Sequence, residues 1–239
     1  REIGTATAKV ADSLAKKSNF KLDLGEVDLR KIDVSYDNAG TSLNSGIKLE
    51  KLAVKFNRTE IAQQNIDIEK FELSGLNGGL TIGKFDKKAP DTKSETDSAP
   101  IKNNWNIVLA NAKITNVDFR FDDENQAPQS RGIDYKHLKL TNFNLVADNL
   151  KYNAEAISGK LKSFSVTDKS GVSIEELHTD FYYGQKSAYL KDLYLKTPNT
   201  LLQREISIKY PSIESLKNNI GELSIDAQLD ESRVAFSDI

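Results

Sequence analysis

The chain contains no cysteine and no methionine, two histidines, one tryptophan and five prolines in 239 residues. Without cysteine it has no disulfides, no thiolate metal site and no thiol nucleophile. The two histidines, His137 and His178, stand in alternating strand contexts with no companion at metal-ligand spacing, so both read as exposed strand residues. No run of about 18 apolar residues occurs, so these residues hold no membrane-crossing helix, and no signal-peptide pattern is visible among them. Neither sign of charge is in marked excess. Lys+Arg number 33 against 35 Asp+Glu, interspersed for a net charge of -2. The basic stripe of a nucleic-acid binder is therefore missing. Also missing are a Gly-x-Ser-x-Gly elbow, a phosphate loop and a dinucleotide fingerprint.

What is present is patterned. Hydrophobic residues make up 38% of the chain and charged residues 28%. That balance predicts much surface for little core, as in a thin or elongated molecule, while the spread of Ile, Val, Leu, Phe and Tyr excludes full disorder. From residue 20 onward apolar residues alternate, skip one place, and alternate again. Examples are Val27-x-Leu29-x-x-Ile32-x-Val34-x-Tyr36, Ile47-x-Leu49-x-x-Leu52-x-Val54-x-Phe56 and Ile66-x-Ile68-x-x-Phe71-x-Leu73-x-x-Leu76. Others are Ile107-x-Leu109-x-x-Ala112-x-Ile114-x-x-Val117 and Ile133-x-Tyr135-x-x-Leu138-x-Leu140-x-x-Phe143-x-Leu145. Period two marks a strand with one apolar face. Each two-residue gap would send the next apolar residues to the other face unless a β-bulge or bend restored the phase. The expectation is a set of strands with regular bends that keep one apolar face. Such a sheet must curl on itself, pack on another sheet or cover its apolar face with a ligand.

Residues 1–19, with Ala6, Val10, Leu14 and Ala15 near one helical face, predict a short amphipathic helix. A first strand set spans 20–85. Residues 86–104 are polar and charged and carry two prolines, and are expected to form a flexible loop. A second strand set spans 105–239, with a short helix near 212–220, N-capped by Ser212 and stopped by Gly221. Val234 to Ile239 still read as strand-forming and the chain opens on Arg1-Glu2-Ile3, so a piece of a longer protein is expected.

Candidate chemistry is sparse. Asp122-Asp-Glu124 lacks calcium-loop spacing and reads as a solvated turn. Gly75 to Gly79 reads as a turn between strands, and Asn57-Arg-Thr59 as a chance match to a glycosylation acceptor. Tyr182 and Tyr183 must point to opposite faces of a strand, one toward the core and one outward. No enzyme is expected, no metal site and no cofactor.

The phrases Val27-Asp-Leu-Arg-Lys-Ile-Asp-Val-Ser-Tyr-Asp37, Gly132 to Leu145, Ile157-Ser-Gly-Lys-Leu-Lys-Ser-Phe-Ser-Val166 and Tyr189 to Pro198 resemble the TamB family (the translocation and assembly module's inner-membrane subunit) in its Bacteroidota form, within the AsmA-like group. The resemblance covers most of residues 20–239 and lies in strand texture, not in a catalytic signature. It implies an all-β fold: an elongated, curled antiparallel sheet forming a taco-like groove, with short flanking helices. It also implies a periplasmic protein held to the inner membrane by an upstream helix outside these residues. Its implied partners are phospholipid acyl chains and, through parts outside these residues, an outer-membrane barrel of the BamA/TamA type. Residues expected to line a lipid groove are Val27, Leu29, Ile32, Val34, Ile133, Tyr135, Leu138, Leu140, Phe143 and Leu145. The competing expectation is a β-solenoid or sandwich binding or adhesion module with a sealed core.

Overall fold

The computed structural model describes residues 24–84, 104–130, 132–218 and 220–235. The helix expected over 1–19, and all but Asn104 of the loop expected over 86–104, lie outside the described residues. Ten strands form one sheet: β1 (Glu26–Asn38), β2 (Leu43–Glu60), β3 (Asn65–Ile82), β4 (Asn106–Asp123), β5 (His137–Tyr152), β6 (Ala156–Asp168), β7 (Ser173–Gly184), β8 (Ser187–Lys196), β9 (Leu201–Lys209) and β10 (Ser224–Leu229). Their order in the sheet is their order in the chain, from β1 at one edge to β10 at the other. The fold is thus all-β and the sheet is open. Residues from β4, β5, β6 and β7 line one shared recess, so the sheet is curled into a groove there.

One apolar face runs through nine strands in register. Leu29 pairs with Leu52, Leu52 with Leu73, Leu73 with Ile114, Ile114 with Leu145 and Leu145 with Phe164. Phe164 then pairs with Leu177, Leu177 with Leu195 and Leu195 with Leu202. Contiguous apolar pairs of this kind are what stabilise a sheet with one face out of water. The opposite face carries cross-strand ion pairs, among them Lys51–Glu72 (2.8 Å), Lys55–Glu69 (2.6 Å), Lys160–Asp180 (3.1 Å) and Lys196–Glu175 (2.8 Å). Lys51 and Lys70 both donate to Glu72 and hold its carboxyl down at about 2.

Six of the two-residue gaps share a backbone signature. Their second residue is left-handed at Lys31, Gly75, Asn116, Asn142, Asn149 and Asp192, with φ between 48° and 62°. A left-handed residue inside a strand turns the chain by about one side-chain position, so the next apolar residue returns to the same face. Asn, Asp and Gly dominate these positions because they tolerate this region best. The expected bulges hold only in part. In the β1–β2 and β3–β4 pairings the gaps lie opposite each other, two residues against two, and no residue is inserted, whereas in the β2–β3 pairing Glu69 of β3 and then Asn57 of β2 are each inserted without an opposite residue.

Further one-sided bulges occur in the β4–β5 pairing. There Thr115 and Asn116 face Asn144 alone, and farther along Thr141 and Asn142 face Asp118 alone, so the register is restored. Each bulged amide is retained by the opposing side chain: Asn116 N–H donates to Asn144 Oδ1 (3.0 Å) and Asn142 N–H to Asp118 Oδ1 (2.9 Å). Asn116→Val places a β-branched residue in the left-handed region and is expected to cost about 1–2 kcal/mol. Denaturant unfolding measures this cost, and Asn116→Gly is the control expected to be near neutral.

Three further expectations need correction. The sheet is not wholly antiparallel: β3 and β4 run parallel, from Asn65↔Asn106 to Ile82↔Asp123. The polar stretch joins them, and it is long because a parallel neighbour obliges the chain to return the full length of a strand. The strand read as starting at Ile133 starts at His137. Asp134 accepts the amides of Gln129 (2.9 Å) and Lys136 (3.0 Å), and so holds the preceding residues in a turn instead of a ladder. The helix expected near 212–220 is one α-turn, α1 (Ser215–Asn218), followed by a 3₁₀ turn over Ile220–Glu222. Ser212 Oγ accepts the Ser215 amide (3.3 Å), as an N-cap does. Past β10, Arg233 forms an isolated bridge with Leu201, and Val234 and Ala235 are not in a strand.

Candidate functional site

The apolar face sinks into a recess of about 560 Å³ over β4–β7. Ile107 and Leu109 come from β4, Leu145, Ala147, Leu150 and Tyr152 from β5, Ile157, Leu161 and Phe164 from β6, and Leu177 and Phe181 from β7. All occupy apolar-phase positions of their strands, so the alternation that forms the sheet also aims them together. The lining is almost entirely carbon. Ala147 of β5 lines it fully buried, and its partner on β4, Ala112, is buried beside it. Phe164 meets Phe143 edge-on at 5.4 Å and stiffens one wall.

Tyrosines mark one rim. Tyr152 pairs with Ile157, and Ile157 with Tyr183, which is half exposed. The Tyr183 ring lies 6.5 Å from that of buried Tyr210, whose hydroxyl donates to the Gly184 carbonyl at 2.6 Å. The rim is thus built of side chains with an apolar body and a polar tip, suited to the boundary between hydrocarbon and water.

Of the residues expected in the groove, Leu145 lines the recess. Leu138, Leu140 and Phe143 lie on the same face of β5, aligned with Phe121, Phe119 and Val117. Val27, Leu29, Ile32 and Val34 also lie on this face but on the edge strand, where Leu29 and Val34 are 40% and 54% exposed. Ile133 and Tyr135 precede β5, and Tyr135 stands 70% exposed in the turn. The reading missed the β4, β6 and β7 residues. Their alternation was visible, but which residues meet in a recess depends on cross-strand register, which alternation along one strand does not give.

The other candidates have structural roles. His137 is buried, not exposed: Nδ1 lies 2.5 Å from Asp122 Oδ1 and Nε2 lies 3.1 Å from the Gln126 carbonyl. Asp122 also pairs with Arg120, and Asp123 is buried with Asn125 and Lys136 as partners, so this acidic run is not a solvated turn. Among the described residues no three His, Asp or Glu side chains converge on a point where a metal would sit. Tyr182 and Tyr183 face opposite sides as expected. Tyr182 stacks on Tyr189 (5.4 Å) and His178 on Tyr194 (5.3 Å), which occupies ring faces that a sugar would need.

Both ring nitrogens of His137 face acceptors, so the imidazolium fits this site best, and the hydrogen bond with Asp122 raises the pKa of the ring. The stabilisation is complete below the ordinary imidazole value of about 6.5 and is lost as pH rises through the raised value. The melting temperature is expected to fall as pH rises from about 6.5 through the raised value, and His137→Gln should remove the part of that fall due to this ring. A pH series of thermal melts on both proteins measures it.

Set against profiles of protein families and against curated proteins, the chain gave no match in either.

Proposed function

We propose that this chain is a segment of a periplasm-spanning β-groove that holds or shields lipid acyl chains between the inner and outer membranes and so supports outer-membrane biogenesis. The observation that carries the proposal is the apolar row from Leu29 to Leu202, in register through nine strands and left without a second layer among the described residues. A face of this kind gains about 0.8 kcal/mol for each methylene it shields from water. Its lining has almost no polar atoms with which to hold a sugar, a nucleotide or a peptide backbone. The role is binding, without catalysis. The envelope location, the inner-membrane tether and the outer-membrane barrel partner come from the resemblance to TamB and AsmA-like proteins and are part of the proposal.

A photoreactive residue placed at Leu161, at Leu145 and at Lys160 of the full-length protein in living cells tests this. Leu161 and Leu145 line the recess, whereas Lys160 pairs with Asp180 on the other face. The expected result is adducts of lipid mass at Leu161 and Leu145 and none at Lys160. No lipid adduct at any of the three, in a protein that still functions, would overturn the proposal in favour of a sealed binding or adhesion module.

A further inference from the structure

We infer that Arg204 of β9 receives the phosphate head of a lipid whose chain lies on the apolar face, and that the phosphate displaces Asp230 from its guanidinium. The inference rests on the acyl-chain reading above and adds to it a head site. It also sets how the lipid lies: across the strands, with its head over the β9–β10 edge.

Parity singles Arg204 out. Leu202, Arg204, Ile206 and Ile208 occupy the apolar phase of β9, and Arg204 pairs with Leu193 of β8 on one side and Leu229 of β10 on the other. Asp123 and Asp168 also fall on this phase, but each is the last residue of its strand and caps the turn that follows, accepting from Asn125 (3.1 Å) and Ser170 (2.8 Å). Apart from those two, Arg204 is the one charged residue at an apolar-phase position of the described strands.

Its backbone is also set apart. The other non-glycine residues of positive φ lie between 48° and 55°, in the left-handed well, whereas Arg204 stands at 90°. A long side chain outside that well is strained, and such strain persists only where neighbours hold it. One neighbour is Leu193, 4% exposed. The guanidinium itself meets water. It is 64% exposed, and its partner Asp230, 2.5 Å away, is 58% exposed. An exposed pair of this kind is weak and screened by salt, so another anion can take the place of the carboxylate. A phosphate monoester carries more charge than a carboxylate and matches the guanidinium fork with two parallel hydrogen bonds.

The recess lies within reach. Phe181, which lines it, pairs with Leu190, and Leu190 pairs with Ile206, two residues along β9 from Arg204. Two strand spacings separate β7 from β9, about 10 Å, so a chain seated in the recess can carry its head to Arg204. A head at the strand ends would meet the hydroxyls of Tyr152 and Tyr183 but no cation on the apolar phase.

The test is a native mass spectrometry titration of this chain with monolauroylglycerol and with lauroyl lysophosphatidate, which differ only by the phosphate. The phosphate compound is expected to bind about tenfold more tightly. Arg204→Gln should bring it down to the affinity of the neutral compound and leave the neutral compound unchanged. Asp230→Asn frees the guanidinium and should widen the preference by about threefold, which keeps the test open if Arg204→Gln does not fold by circular dichroism. Lys209→Gln removes a cation from the opposite phase of the same strand and should keep the preference. Equal affinities of the two lipids for the unaltered chain, a preference that survives Arg204→Gln, or one that Asp230→Asn does not change would overturn the head site and leave the acyl-chain reading standing. Inorganic phosphate bound as tightly as lauroyl lysophosphatidate would make Arg204 an anion site indifferent to lipid, and would overturn the head site as well. Neither lipid bound by the unaltered chain would overturn the acyl-chain reading itself.

Discussion

Removing about ten residues from the connection between β3 and β4 is expected to divide the sheet into two parts that melt separately. The two strands are parallel and paired from Asn65↔Asn106 to Ile82↔Asp123. From Ile82 the chain must therefore return along a strand of 18 residues, roughly 55 Å at about 3.3 Å per residue. The ends of the connection are fixed: Gly83 N–H donates to the Ser42 carbonyl (2.6 Å), and Asn106 N–H donates to the Gln64 carbonyl (2.8 Å). Between residues 84 and 104 lie nineteen residues, ample when extended. Nine residues reach only about 35 Å at about 3.5 Å each, short of the return. Removing about two residues leaves a reach of about 60 Å and changes the loop-closure cost little, so that variant should melt in one transition like the parent. Calorimetry distinguishes the two. A single unchanged transition in the shorter variant would show that β3–β4 pairing does not depend on this return.

Val117→Asp is expected to destabilise the chain by about 3–5 kcal/mol at neutral pH, the cost of leaving a charge buried without a partner. Val117 is 8% exposed and pairs with Phe143 in the middle of the sheet. At about 2–4 °C per kcal/mol for a chain of this size, the melting point should fall by about 10 °C or more. The buried carboxyl would have a raised pKa, so the loss should shrink as pH falls and the acid becomes neutral. Val34→Asp makes the same chemical change on the same face of β1, where the side chain is 54% exposed, and should cost no more than about 0.5–1 kcal/mol. Equal effects of the two substitutions would mean that the centre of the apolar face is as wet as its edge.

Much of this architecture is legible in the chain. The alternation with two-residue gaps marks the strands and their common apolar face because side-chain direction in a strand depends only on parity. The gap residues Asn116, Asn142 and Asp192 even signal how the phase returns, since these residue types accept a left-handed backbone that most others resist. The charged phase of each strand likewise marks the face that carries the ion pairs.

Other features depend on partners distant in sequence. That β3 and β4 run parallel follows from which edges meet, and two antiparallel strands would show the same alternation. His137 looks like an exposed strand residue until the β4–β5 turn places Asp122 on one ring nitrogen and the Gln126 carbonyl on the other. Ile133 and Tyr135 continue the alternation but leave the strand, because one carboxylate, Asp134, captures the amides of Gln129 and Lys136 first.

The location of the recess is the clearest case. Local alternation determined, from the sequence alone, that one face of this protein is apolar and the other charged. Only the tertiary structure decided where that face deepens, because the recess takes Leu109 of β4, Ala147 of β5, Leu161 of β6 and Phe181 of β7, and cross-strand register, not spacing along the chain, brings them together.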